Sequence, residues 1–226
     1  GAEAMRRPVE IEFACNINAD KTGDFYLLQV RPIVDSKQML DEDVAAVPDE
    51  ECLLRSHNSL GHGISEDITD VVYVKYDDRF SAMNNGRVVD DIERVNDEFL
   101  ASGANYVIIG PGRWGSSDPW LGVPVKWPHI SAARVIVEVA LKNYRVDPSQ
   151  GTHFFQNLTS FGVGYFTVDT NYPGDGGLLR KDILDAMPAV EETEFGRHVR
   201  FDKPLKIMMD GKKQEGVVML GKNMGR

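Results

Sequence analysis

Between residues 71 and 109 the chain changes its hydrophobic period twice. Val71-Val72-Tyr73-Val74-Lys75-Tyr76 is a β-branched and aromatic run that reads as a strand. Val88, Ile92, Val95 and Phe99 then recur at helical spacing, with Asp90, Asp91 and Glu93 read as its first turn. Gly103 stands where a helix C-cap glycine belongs. Asn105-Tyr106-Val107-Ile108-Ile109 is a short apolar strand suited to the centre of a sheet. Strand, helix, strand in this order predicts a parallel crossover. The fold class expected is mixed α/β, or α+β: an N-terminal antiparallel hairpin, then a mixed-sheet domain ending in a β-hairpin.

The rest of the chain fits around that unit. Residues 110–128 hold four glycines and four prolines, so they form an ordered loop or a set of turns. Ala133 to Leu141 reads as a strand, although Ala132-Ala133-Arg134 leaves a helix open; Val163 to Val168 reads as a strand, and Leu178 to Met187 as a helix stopped by Pro188. Gly151-Thr152-His153-Phe154-Phe155 starts a short helix with Thr152 at its N-cap. His198 to Met209 and Glu215 to Leu220 pair across Asp210-Gly211. Residues 9–17 and 25–31 pair across the polar turn 18–24. Residues 35–56 read as an acidic linker, with a short helix around 49–55. They separate a hairpin unit, 1–34, from a domain spanning 57–226.

The net charge of −10 argues against a general nucleic-acid binder. It is uneven: residues 35–52 hold seven acids against Lys37, and residues 197–226 hold eight basic side chains against three acids. Both read as solvated surface, or else as faces that dock a neighbouring domain or subunit. No apolar run reaches membrane-spanning length, and no signal peptide is visible. Cys15 and Cys52 form neither a metal spacing nor a disulfide framework, which suits a reducing cytoplasm.

Three motif matches fail on context. Gly110-Pro111-Gly112-Arg113-Trp114-Gly115 spells the dinucleotide fingerprint, but the Pro- and Gly-rich residues after it cannot form the helix that holds a pyrophosphate. Gly216 to Asn223 approaches a P-loop but lacks the metal-binding hydroxyl and lies on a strand. Asn18, Asp20, Thr22 and Asp24 imitate a calcium loop, yet Gln29 replaces the closing bidentate Glu, so a plain turn is expected.

Chemistry concentrates in the opening hairpin. Glu12, Gln29 and Arg31 lie on its two strands. A carboxylate and a carboxamide oxygen suit a hard cation such as Mg²⁺, and a guanidinium beside them suits a phosphate. The string Pro8-Val9-Glu10-Ile11-Glu12-Phe13-Ala14, a short turn, then Phe25-Tyr26-Leu27-Leu28-Gln29-Val30-Arg31-Pro32-Ile33-Val34 resembles the end of the nucleotide-binding domain of phosphoenolpyruvate synthases and pyruvate phosphate dikinases. The resemblance covers residues 8–34. It implies an ATP-grasp fold, with Glu12 and Gln29 by the metal and the ATP phosphates and Arg31 on phosphate. It implies ATP and Mg²⁺ as cofactors, pyruvate or a related small molecule as substrate, and a front half of the ATP-grasp domain that precedes this sequence as partner. A homo-oligomer is left open. Tyr106 to Ser116 and Pro148 to Asn157 resemble the C-terminal region of a bacterial subgroup of synthase- or dikinase-like proteins, for which no chemical role follows.

The departures limit the activity. In that family phosphate travels on a histidine within a Gly-Gly-x-x-Ser-His-Ala type motif. The nearest string here, Arg55-Ser56-His57-Asn58-Ser59, lacks the glycines and the following helix. The pyruvate-binding barrel is absent as well, so the stretch is not expected to be catalytically complete alone. A second candidate site lies later. Arg113, with Gln150, His153 and Gln156 at a helix start, could form a phosphate or carboxylate pocket, and Asp118 and Glu138 are the acids to seek beside Arg113. His62 reads as a turn histidine, His129 follows a proline-rich segment, and His198 reads as the edge of a strand. No histidine pair has metal-ligand spacing. The alternative to a phosphotransferase fragment is a noncatalytic module, either binding an anionic metabolite or mediating regulation or assembly through the basic hairpin.

Overall fold

A computed structural model of the chain describes residues 9–32, 40, 42–75, 84–116, 118, 120–140, 158, 162–169 and 177–221. They fall into two compact units, residues 1–39 and 40–226.

The first unit is an antiparallel ribbon of β1 (Val9–Ile17) and β2 (Gly23–Pro32). Its turn is closed from within. The Asp20 carboxylate accepts hydrogen bonds from the Thr22 N–H (3.0 Å) and hydroxyl (2.6 Å), which hold its carboxyl below the usual range. Lys21 takes a left-handed conformation (φ 64°). This is the plain turn the sequence suggests.

The second unit is mostly β. Fourteen strands are described in the whole chain, against the helices α1 (Asn85–Ser102) and α2 (Lys181–Ala186). The α/β expectation is therefore corrected to a large mixed sheet with few helices. Its strands are β3 (Cys52–Ser56), β4 (Ser59–Leu60), β5 (His62–Val74), β6 (Tyr106–Pro111), β9 (Ala133–Val139), β10 (Gly164–Val168), β11 (Leu178–Leu179), β12 (Ala189–Glu192), β13 (Gly196–Asp210) and β14 (Glu215–Met219). They run in the order β11-β3-β14-β13-β5-β6-β9-β10-β4, with β12 alongside β13. β7 (Arg113–Trp114) and β8 (Gly122–Val123) form a separate short pair.

The expected crossover is present. β5, α1 and β6 form it, and β5, β6, β9 and β10 run parallel. Gly103 caps α1 in the left-handed region, φ 69°, as the sequence suggests. The helix starts at Asn85, so Asp90 and Asp91 lie beyond the first turn assigned to them. The remaining ladder is antiparallel. The sheet curls until its far edges meet: the Ser56 hydroxyl donates to the Thr167 carbonyl (2.7 Å), and the Thr167 N–H donates to the Asn58 carbonyl. Val72, Ile108, Ile136 and Tyr165 pack with Val88, Ile92, Val95 and Phe99 of α1. Val71, Val107, Val135, Val199, Phe201 and Ile207 form a second core with Leu184 of α2.

The acidic segment differs most from its reading. Residues 52–56, expected as linker or helix, are a fully buried strand between β11 and β14. Asp49–Glu51 is a single 3-10 turn. Val44 packs with Cys52, Met208 and Val217, on the β3–β14–β13 strands. Buried Arg55 fixes the segment, donating to the Asp49 carboxylate (2.6 Å) and to the Val44 and Val47 carbonyls. The two charge runs meet each other: Lys206 pairs with Glu42 at 2.6 Å and Lys213 with Asp43 at 3.0 Å. The helix read over 178–187 is shortened, because Leu178–Leu179 pairs with β3. No described helix is long and apolar enough to cross a membrane.

Candidate functional site

The register of the first unit decides what its polar residues can share. Glu12 stands directly opposite Gln29, and Glu10 opposite Arg31. Directly opposed residues project from the same face of an antiparallel pair, their Cβ atoms about 5 Å apart. Glu12 and Gln29 therefore form one cross-strand pair, and Arg31 occupies the next position of the same alternation. A register shift between Glu12 and Phe13 leaves the pair at a bulge, where a strand can re-aim a side chain. Two hard oxygen donors of this kind fit a Mg²⁺ ion that takes its other ligands from phosphate and water. Among the described residues no group of three or more His, Cys, Asp or Glu could hold a metal alone.

A second constellation lies at the carboxyl ends of the parallel strands β5, β6, β9 and β10, the end at which parallel sheets bind their ligands. β6 leads into a turn that only glycine permits. Gly112 has φ 66°, and a Cβ there would meet the Leu121 carbonyl oxygen at 2.3 Å. A Cβ on Gly110 would meet the Trp114 ring at 2.3 Å. These two glycines of the apparent fingerprint thus seat an indole and a tight strap, and β8 follows where a cofactor site needs a helix.

The turn is pinned by Glu138 of β9, which is 1% exposed. Its carboxylate accepts the Trp114 backbone N–H at 2.9 Å and the Tyr165 hydroxyl. Trp114 Nε1 donates to the Val137 carbonyl. Half-buried Arg113 is thereby carried at the carboxyl edge of the parallel strands. Of the two acids sought beside it, Glu138 reaches this turn. Asp118 instead accepts the Trp120 N–H within its own loop (2.9 Å). Gln150, His153 and Gln156 lie outside the described residues, as does the short helix assigned to them. Tyr165, within a strand, carries no local mark of its bond to Glu138. The signal available was Glu138 itself, an acid inside a β-branched run read as a strand.

A third buried polar group joins β5 to β13. His198, read as the edge of a strand, stands near the start of β13, 7% exposed, opposite Val72 of β5 on one side and Glu191 of β12 on the other. Its Nε2 lies 2.6 Å from the Asp70 carboxylate, which also accepts Arg200 Nε (2.8 Å) and the Thr69 hydroxyl (2.6 Å). Burial by itself raises the Asp70 carboxyl, but the bonds from His198, Thr69 and Arg200 outweigh it and hold the group below its usual value. His57, the nearest match to a phosphate carrier, is partly exposed and bonded to Glu215 at 2.8 Å. His62 opens β5 rather than a turn and lies 3.9 Å from Asp210. Cys15 is exposed and Cys52 buried, both as free thiols. No family model, curated protein or solved structure matches the chain.

Proposed function

We propose that the N-terminal ribbon is the phosphate-facing edge of a nucleotide cleft in an ATP-dependent phosphotransferase resembling phosphoenolpyruvate synthase. The Glu12–Gln29 register carries this reading. In it Glu12 and Gln29 hold Mg²⁺, which screens the ATP phosphates. Arg31 donates to a phosphate oxygen and offsets charge that develops as the phosphoryl group moves. The ribbon's surface supports the reading. Ile11, Phe13, Leu27 and Leu28 are all more than half exposed. A two-stranded ribbon is marginal alone in water, so apolar side chains of this size call for a larger sheet around them. The remainder of the cleft then comes from residues outside this sequence.

The test is ATP–Mg²⁺ binding by calorimetry on a protein that carries this ribbon within a whole cleft. Arg31→Ala is expected to weaken binding by about 1.5–3 kcal/mol, the loss of a charged hydrogen bond. Glu12→Ala is expected to raise the Mg²⁺ concentration needed for binding. Unchanged binding in both variants removes the ribbon from the site.

A second reading concerns residues 40–226 and rests on Arg113 at the carboxyl edge of the parallel strands. In it this unit binds an anionic metabolite without transforming it. Titration with inorganic phosphate and with pyruvate, watched through Trp114 fluorescence, tests it. Binding that survives Arg113→Ala excludes it.

A further inference from the structure

Residues 42–51 lie as a strap on the sheet of the second unit without joining it. None of them is in a strand, and Val44 is their one buried side chain. Their backbone bonds are local: the Ala46 N–H donates to the Asp43 carbonyl, the Val47 N–H to Val44 and the Glu51 N–H to Pro48. Among the described residues the backbone of the sheet reaches them at one point, where the Leu220 N–H donates to the Glu51 carbonyl (2.9 Å). Val44 rests on Cys52, Met208 and Val217. Ile207 and Val218, the chain neighbours of Met208 and Val217, belong instead to the core around Leu184. Successive strand residues face opposite ways, so the strap crosses the face of the sheet turned away from that core.

Arg55 is the anchor. It stands opposite Val217 of β14 and Leu178 of β11, on the face the strap covers. Its guanidinium donates to the Asp49 carboxylate and to the Val44 and Val47 carbonyls, and it lies 3.6 Å from Cys52 Sγ. The Cys52 thiol in turn donates to the Pro48 carbonyl (3.4 Å). Among the described residues, the oxygen partners of Arg55 all belong to the strap. Lifting the strap therefore hands the guanidinium to water and leaves no charge dry, so the penalty for breaking a buried ion pair does not arise. The Glu42–Lys206 and Asp43–Lys213 pairs have exposed acids and add little. The main loss on lifting is the burial of Val44, with Leu40 and Val47 partly covered beside it. Neither of the two larger cores contains a strap residue.

We infer that residues 42–51 form a latch that opens while the sheet stays folded. Segments with few buried apolar contacts open locally, at free energies well below that of global unfolding. Closed, the latch seals Cys52, Met208 and Val217, each at 0% exposure. Open, it bares that apolar strip and frees up to about 35 Å of chain ahead of β3, at roughly 3.3–3.6 Å per residue. The device depends on neither functional reading, since it uses neither the ribbon nor Arg113.

The test is the rate at which dithiodipyridine labels Cys52 in the full chain carrying Cys15→Ser, which removes the exposed thiol. Below the unfolding transition the rate is expected to stay nearly flat as urea is added, because a local opening exposes little surface. It is expected to climb only where global unfolding takes over. Val44→Ala is expected to fold and to raise the low-urea rate about tenfold, the effect of removing two buried carbons. Val135→Ala, in the core that holds no strap residue, is expected to lower the urea midpoint and leave the low-urea rate unchanged. Labelling that rises with urea as steeply as global unfolding from the first addition, or that is absent below the transition, overturns the inference. So does a Val44→Ala rate equal to that of the parent, or a Val135→Ala chain that labels as fast as Val44→Ala.

Discussion

Glu138 shows how one acid can fix a turn. Its two carboxylate oxygens engage a backbone N–H and a phenol, both buried, so removing it takes an acceptor from each. Glu138→Ala is expected to destabilise the second unit by about 2–4 kcal/mol in urea unfolding, and Glu138→Gln by less, because the amide oxygen still accepts one bond. Asp70 gives a dependence on pH. Its carboxyl titrates lower in the folded chain than in the unfolded one. Its contribution is therefore complete above the unfolded value of about 3.9 and is lost as pH falls through the folded value. Unfolding midpoints measured from pH 6 down to pH 2 are expected to fall less steeply at the acid end for Asp70→Asn than for the parent chain, from a lower starting stability.

At the scale of elements, the Gly110–Gly115 turn leaves little room for change. Gly110→Ala puts a methyl group into the Trp114 ring. It is expected to cost about 1–3 kcal/mol, as overpacking does, with altered Trp114 fluorescence as the local sign. How much of the fold is legible in sequence differs from element to element for physical reasons. β6 and α1 are legible because local pattern suffices: a wholly apolar run, a helical stripe and a glycine at the C-cap. β3 is not, because three acids precede Cys52-Leu53-Leu54-Arg55-Ser56, and its burial depends on β14 far along the chain. The β13–β14 connection is legible as a hairpin but not in its geometry. Four residues, 211–214, separate the strands, and Gln214 rather than Gly211 takes positive φ (60°). Gly211 is needed for close approach, since a Cβ there would lie 2.6 Å from the Gly61 carbonyl oxygen. Arg113 and Glu138 were legible as candidates from charge in apolar surroundings. The Asp70–His198 pair was not, because nothing local to either residue announces a partner on another strand.

At the scale of the molecule, the two compact units carry separate readings, and their stabilities are expected to be separable. Removing residues 1–39 is expected to leave the thermal midpoint of the remaining chain within a few degrees of its original value, measured by calorimetry. A large fall would show that the ribbon contributes to the core of the second unit. Within that unit the lysine-to-acid ties at Glu42 and Asp43 are exposed, so 0.5 M salt is expected to move the midpoint little.

The place of β3 between β11 and β14 has a consequence for biosynthesis. This strand leaves the ribosome long before the neighbour that completes its ladder on one side, residues 215–219. Until then Leu53 and Leu54 have no finished core to enter, and the sheet cannot curl shut. A long-range closure of this kind is slow and exposes sticky edges on the way. A nascent chain stalled short of residue 215 is therefore a natural client for a holding chaperone, and release of the β13–β14 hairpin is the step that commits the sheet to its native form.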